Sequence, residues 1–187
     1  WPSPELFART LAAHGVGAGS RVILVARTTR PGLDSGTMWC TRAWWTLHHF
    51  GVDCAIVHGG IEQWEAEGRP LTSEVRSVSA PAVDLELARD WDRGRASKAD
   101  VLATFGAGQT CLVDALTVDS FEGREANYGR PGHITGAVNV PFVGLIERET
   151  CGFVDADTMS TRLGDVLDAP EVITYCGGAI AATVPAF

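Results

Sequence analysis

Two kinds of apolar pattern alternate along the chain, separated by glycines and polar turns. RVILVA (21–26), DCAIVH (53–58), TCLVDAL (110–116) and EVITY (171–175) are short, nearly unbroken apolar runs rich in β-branched residues. Such runs are expected of strands buried in a parallel sheet. AVNVP (137–141) is a shorter run of the same kind. Between them apolar residues recur at helical spacing. Ser3-Pro4-Glu5 reads as a helix start, with Ser as N-cap, Pro at the first helical position and an acid in the first turn; Leu6, Phe7 and Leu11 supply an apolar face and Gly15 ends it. MWCTRAWWTLHHFG (38–51), GGIEQWEAEG (59–68), ASKADVLATFG (96–106) and ADTMSTRLGDVL (156–167) predict further helices, and Pro141–Glu147 opens another. EGREANYGRPGHITG (122–136) is polar and Gly-rich, and reads as a long loop.

Strand and helix in alternation predict an α/β fold, a mostly parallel sheet flanked by helices on both faces. PLTSEVRSVSAPAV (70–83), polar with two prolines, reads as a linker between two units of one type. In such sheets ligands bind beyond the carboxyl ends of the strands. One strand end is occupied by a nucleophile: EVITY runs directly into Cys176.

Composition narrows the function. A net charge of −8 over 187 residues and a pI near 5 argue against a nucleic-acid binder, which presents a basic face, but leave room for a small anionic substrate. No apolar run approaches the roughly 18–20 residues of a membrane span. WPSPELFART has neither the basic segment nor the apolar core of a signal peptide. The five cysteines are odd in number and form no CxxC, so a zinc site or disulfide framework is not expected, and a reducing, cytoplasmic setting is. His48 and His49 are adjacent on a helix, face different ways and make a poor metal pair.

In VITYCGGAIAAT (172–183) a strand, a cysteine, two glycines and small residues precede a helix beginning near Ala181. Small residues let the backbone of Gly177, Gly178, Ala179, Ile180 and Ala181 curl and point N–H groups inward, and the helix adds its positive end. A thiol in that ring loses its proton readily, and the thiolate is the nucleophile. Cysteine phosphatases use such a loop with an arginine six residues after the cysteine; here Ala182 stands there, and a phosphoryl group would lack its bidentate partner. Sulfur transfer through a cysteine persulfide needs no such arginine. Cys40, Cys54, Cys111 and Cys151 read as packing residues.

The chain resembles the tandem rhodaneses, the thiosulfate and 3-mercaptopyruvate sulfurtransferases. MWCTRAWWTLHHFGVDCAIVHGGIEQWEAEGRPL resembles the end of their first, inactive domain; CLVDAL, YGRPGHITGAVNVPF and VITYCGGAIAAT resemble pieces of the second, catalytic one. The resemblance implies residues 1–71 as the C-terminal part of a first rhodanese-like domain, 72–83 as linker, and 84–187 as a catalytic domain without its C-terminal part, a chain cut at both ends. It implies Cys176 as the persulfide-bearing nucleophile at the head of a six-residue active loop. The implied reaction moves a sulfane sulfur from thiosulfate to cyanide or a thiol, with no cofactor or metal. 3-Mercaptopyruvate is the alternative donor, disfavoured weakly because Gly178 stands where users of that donor tend to carry serine.

Departures from the family pattern supply a rival reading, a non-catalytic rhodanese module that binds or senses. Relatives often carry arginines just after the LVDA strand to bind the donor's anionic group; Leu116 and Ser120 stand there. Arg124 and Arg130, in the following loop, either take over that role or are solvated surface charges. Ala179 replaces a common glycine and is strained if its φ is positive. Pro185 falls in the first turn of the closing helix, where it is tolerated. His133 and Asp114 read as loop anchors, and Trp39, Trp44 and Trp45 as helix-packing residues.

Overall fold

The computed structural model describes residues 2–28, 35–75, 77, 94–106 and 108–187. The first helix, α1 (Pro4–Ala13), starts where the sequence predicts, with the Ser3 hydroxyl accepting the Leu6 N–H at 3.3 Å. A two-stranded parallel sheet follows: β1 (Val22–Leu24) pairs with β2 (Cys54–Ile56), Ile23 beside Ala55. Between them runs α2 (Gly36–His49), capped by Ser35, whose hydroxyl accepts the Met38 N–H at 3.0 Å; α3 (Gly60–Ala66) follows β2. Positions 70–75 and 77 of the predicted linker are exposed and carry no regular structure; 76 and 78–83 lie outside the described residues.

After α4 (Lys98–Thr104), closed by a Ser97–Asp100 capping box, comes a three-stranded parallel sheet. Its central strand, β3 (Thr110–Asp114), lies between β4 (Val138–Asn139) and β5 (Glu171–Tyr175). The remaining helices are α5 (Val118–Phe121), α6 (Ala156–Leu163) and α7 (Thr183–Ala186). All strand pairs named here are parallel, as the apolar runs predict. Among the described residues no helix is long and apolar enough to cross a membrane.

Four expectations change in detail. The run at 21–26 forms only three strand residues, and Ile23 and Val25 are exposed rather than buried, because β1 sits in a sheet of two strands. The segment 141–147 makes a 3₁₀ turn, Phe142–Gly144: Leu145 bonds back three residues to Phe142, and both side chains drop into the core. The helix expected over 156–167 breaks at Gly164, whose φ of +50° lies outside helical geometry, and continues as a 3₁₀ turn to Asp168. The helix expected from Ala181 begins at Thr183, after tight turns in which Thr183 and Val184 bond back three residues to Ile180 and Ala181.

The main core gathers Val113, Val140, Phe142, Leu145, Ala181 and Val184, joined by Met38 of α2. Burying one such side chain contributes about 2 kcal/mol, so α2 is held to the second sheet as well as to its own. Next to Met38, the buried Thr41 and Thr183 hydroxyls meet at 2.9 Å.

Candidate active site

Asp114 and Tyr175 are register partners at the ends of β3 and β5, and the chain leaves both strands on the same side. Asp114 is 1% exposed and acts as an anchor: its carboxylate accepts the Leu116 N–H at 2.8 Å. Asn139 donates to the carbonyls of Asp114 and Leu116, at 3.0 and 2.9 Å. Tyr175 ties down the long loop by accepting the Ile134 N–H on its hydroxyl at 2.9 Å. Burial, with Asp114 nearby, keeps that phenol well above its ordinary pKa, hence neutral. His133 stacks on Phe121, ring centres 3.6 Å apart, and its Nδ1 lies 2.8 Å from the Phe121 carbonyl oxygen. These anchors hold the two strand exits and the loop in fixed relation.

Cys176 follows β5 and is half-buried. It opens on a cavity of about 200 Å³ shared with Leu116, Ser120, Tyr128, Arg130, Tyr175 and Gly177. The two positions where relatives often carry arginine, Leu116 and Ser120, line this cavity, as does Arg130 from the loop. Arg124 does not line it. The turn after α5 bonds the Arg124 N–H to the Asp119 carbonyl at 2.8 Å, and its guanidinium pairs with the Asp119 and Glu122 carboxylates.

Among the described residues, no N–H from Gly177 to Ala182 donates to a protein acceptor. Ala179 has a φ of +55°, in the left-handed region that anion-binding concavities of successive N–H groups use. The two glycines serve different ends. A methyl on Gly177 would overlap the Tyr128 ring, whereas one on Gly178 would meet nothing within 4 Å. Ile180 and Ala181 turn into the core and root the loop. α7 has only four residues, so the concavity rests on the loop backbone rather than on a helix dipole.

One residue at the site was not anticipated. Arg42 of α2 reaches across to the loop, and its Nη1 donates to the Ala179 carbonyl at 3.1 Å. Burial lowers the Arg42 pKa, and the charge of a Cys176 thiolate acts in the opposite direction, as expected of neighbours. Nothing in WCTRAWW marks this arginine as different from a solvated helical one; its role follows from the docking of α2 on the second sheet. Two of the three tryptophans read as helix-packing residues stack, Trp44 on His48 and Trp45 on His49, whereas Trp39 is exposed, on the outer side of α2. Burial pushes the thiols of Cys40, Cys54 and Cys111 above their ordinary pKa, which disfavours their reactive form. Among the described residues no three His, Cys, Asp or Glu side chains come together to hold a metal.

Parallel strands with a cysteine loop at a carboxyl end are found in solved structures of the rhodanese fold that this chain matches. The crystal structure of a 3-mercaptopyruvate sulfotransferase from Escherichia coli has this fold: it matches with a TM-score of 0.79 and 24% identity, covering 99% of this chain and 67% of that one. In sequence the chain is 30% identical over 190 residues to the 3-mercaptopyruvate sulfurtransferase of Escherichia coli (strain K12), covering 98% of this chain and 63% of the relative. It is 29% identical over 147 residues to the thiosulfate sulfurtransferase of Gallus gallus, covering 75% of this chain and 47% of the relative. No protein-family model matches the chain. The chain thus has the rhodanese fold and is related in sequence to named sulfurtransferases, while spanning 47–63% of the length of these two curated relatives.

Proposed function

We propose that this chain carries a sulfurtransferase centre in which Cys176 takes up and hands on a sulfane sulfur. The observation that supports it best is the coincidence at one strand end of a half-buried thiol, a loop with undonated N–H groups and a small cavity that Arg130 helps to line. The Cys176 thiolate attacks the outer sulfur of thiosulfate; a new S–S bond forms, the donor's S–S bond breaks and sulfite leaves with its electron pair. The persulfide anion is held by the loop N–H groups until cyanide or a thiolate attacks its terminal sulfur and frees the Cys176 thiolate. Atoms and charge balance in both steps without a cofactor. In this reading Arg130, a lining residue of the cavity, meets the donor's anionic group.

3-Mercaptopyruvate is a second donor reading, favoured by the relative of that name that matches nearly the whole chain. The two parallel sheets fit a division into a first rhodanese-like unit over 1–71, a linker over 72–83 and a catalytic unit over 84–187. The free thiols fit a cytoplasmic setting.

Intact-mass spectrometry after brief incubation with thiosulfate tests the proposal, beside Cys176→Ala. A gain of one sulfur, reversed by cyanide or dithiothreitol and missing in the variant, is the expected result. The same experiment with 3-mercaptopyruvate assigns the donor. No adduct from either donor on folded protein would overturn the enzyme reading and leave a binding module.

A further inference from the structure

The active loop contains one residue in an unfavourable backbone state, and a side chain from the other half of the chain bonds to that same residue. Ala179 sits at φ +55°, a region that an alanine visits reluctantly. Its carbonyl accepts from Arg42 at 3.1 Å. A trans peptide is planar, so turning the Ala179 carbonyl toward α2 turns the Ile180 N–H the opposite way. Arg42 is not an isolated contact. Met38, Thr41 and Arg42 occupy one face of α2 at helical spacing. Met38 enters the core beside Ala181 and Val184, Thr41 meets the Thr183 hydroxyl, and Arg42 takes Ala179. This face forms a floor under the loop from Ala179 to Val184.

We propose that Arg42 is a positioning residue for the sulfur-carrying loop: its bond to the Ala179 carbonyl holds that residue in the left-handed state and so keeps the loop N–H groups in the concavity that receives anionic sulfur. The proposal rests on the reading of Cys176 as the sulfur carrier, and its test is built to separate the two. Without the bond, Ala179 relaxes toward right-handed backbone, the 179–180 peptide rotates, and the concavity opens. Glycine at 179 would adopt the positive φ with little penalty, so it should make Arg42 largely dispensable.

The test compares wild type, Arg42→Met, Ala179→Gly and the double variant, with Arg42→Lys as the conservative change. Two rates are followed at the Cys176 peptide by mass spectrometry: sulfur loading from thiosulfate, and alkylation by iodoacetamide across pH. Thermal melts check folding. Arg42→Met is expected to slow both by about tenfold at every pH sampled, as loss of a charge-assisted bond predicts. Arg42→Lys should recover part of the loss. In the Ala179→Gly background the Arg42→Met effect should shrink to about threefold or less. Unchanged rates in Arg42→Met, or an undiminished loss in the Ala179→Gly background, would overturn the proposal. If wild type takes up no sulfur, the sulfurtransferase reading fails by itself, and the alkylation series still decides the role of Arg42.

Discussion

The contact between Gly177 and Tyr128 yields a prediction that separates the two glycines of the loop. A methyl at 177 would stand roughly 1.5 Å inside the usual carbon–carbon contact of about 3.5 Å with the Tyr128 ring. If the ring could not move, overpacking of this kind would cost about 1–3 kcal/mol. Tyr128 is 61% exposed, however, so it can swing into solvent. The stability loss in Gly177→Ala should then stay below about 1 kcal/mol, under about 4 °C in melting temperature for a chain of this size. The larger effect falls on the cavity, because Tyr128 is one of its walls. Displacing a wall by an ångström or more is expected to slow sulfur loading of Cys176 by about 10- to 100-fold. Gly178→Ala is the control: its methyl meets nothing within 4 Å and its φ is not left-handed, so loading should stay within about twofold. Thermal melts and single-turnover loading by mass spectrometry measure both quantities, and Tyr128→Ala closes a double-mutant cycle. If Gly177→Ala loses as much activity in the Tyr128→Ala background as in the wild type, the damage does not pass through the ring and the reasoning is wrong.

Arg130→Ala should raise the KM for thiosulfate by about fivefold, the equivalent of one exposed charge-assisted bond of about 1 kcal/mol, while Arg124→Ala, which removes only ion pairs to Asp119 and Glu122, should leave KM unchanged; equal effects would contradict the assignment. Ala179→Gly should stabilise the protein: relief of a left-handed alanine gives about 1–2 kcal/mol, glycine's extra chain entropy takes back about 0.5–1, and the melting temperature should rise by about 1–4 °C. Acid sensitivity follows from helix starts. Hydrogen bonds, chiefly from Ser3, Ser97 and Thr158, hold Glu5, Asp100 and Asp155 below the ordinary carboxylate range. Their unfolded values are higher, so this stabilisation is complete above about pH 4.5 and is lost as pH falls through the folded values. Asp155→Asn should therefore flatten the acid limb of a stability–pH curve, and an unchanged limb would refute the point.

What could be read from the sequence was local. Ser3-Pro4 and the β-branched runs fix a helix start and strands through neighbouring residues alone, and the structure has them. Cys176 was legible because a strand end and a run of small residues both lie within a few positions of it. The strain at Ala179 was legible too, since only the backbone state of one residue was at issue. What depended on packing was not. Ile23 reads as buried because a β-branched run looks alike in a sheet of two strands and a sheet of five; exposure is decided by what covers it. The separate fates of Arg124 and Arg130 turn on where one loop bends back after α5, and no spacing rule gives that. The different reasons for Gly177 and Gly178 need Tyr128 in place.

The same distinction bears on how the centre is built. The second sheet supplies the proposed sulfur-carrying cysteine, the cavity and the anchors of Asp114, Asn139 and Tyr175. The shape of the loop does not rest on that sheet alone. Its outer residue, Ala179, is held from α2, and its root is packed on Met38 and Thr41 of the same helix face. A loop of small residues with undonated N–H groups gains little from its own side chains, and glycine and alanine leave it many backbone states. An external floor with one polar bond at the strained position restricts those states while leaving the N–H groups free for a ligand. On this account the α2 floor acts on Cys176 through the shape of the loop, and its disruption should lower the reactivity of Cys176 before it unfolds the second sheet.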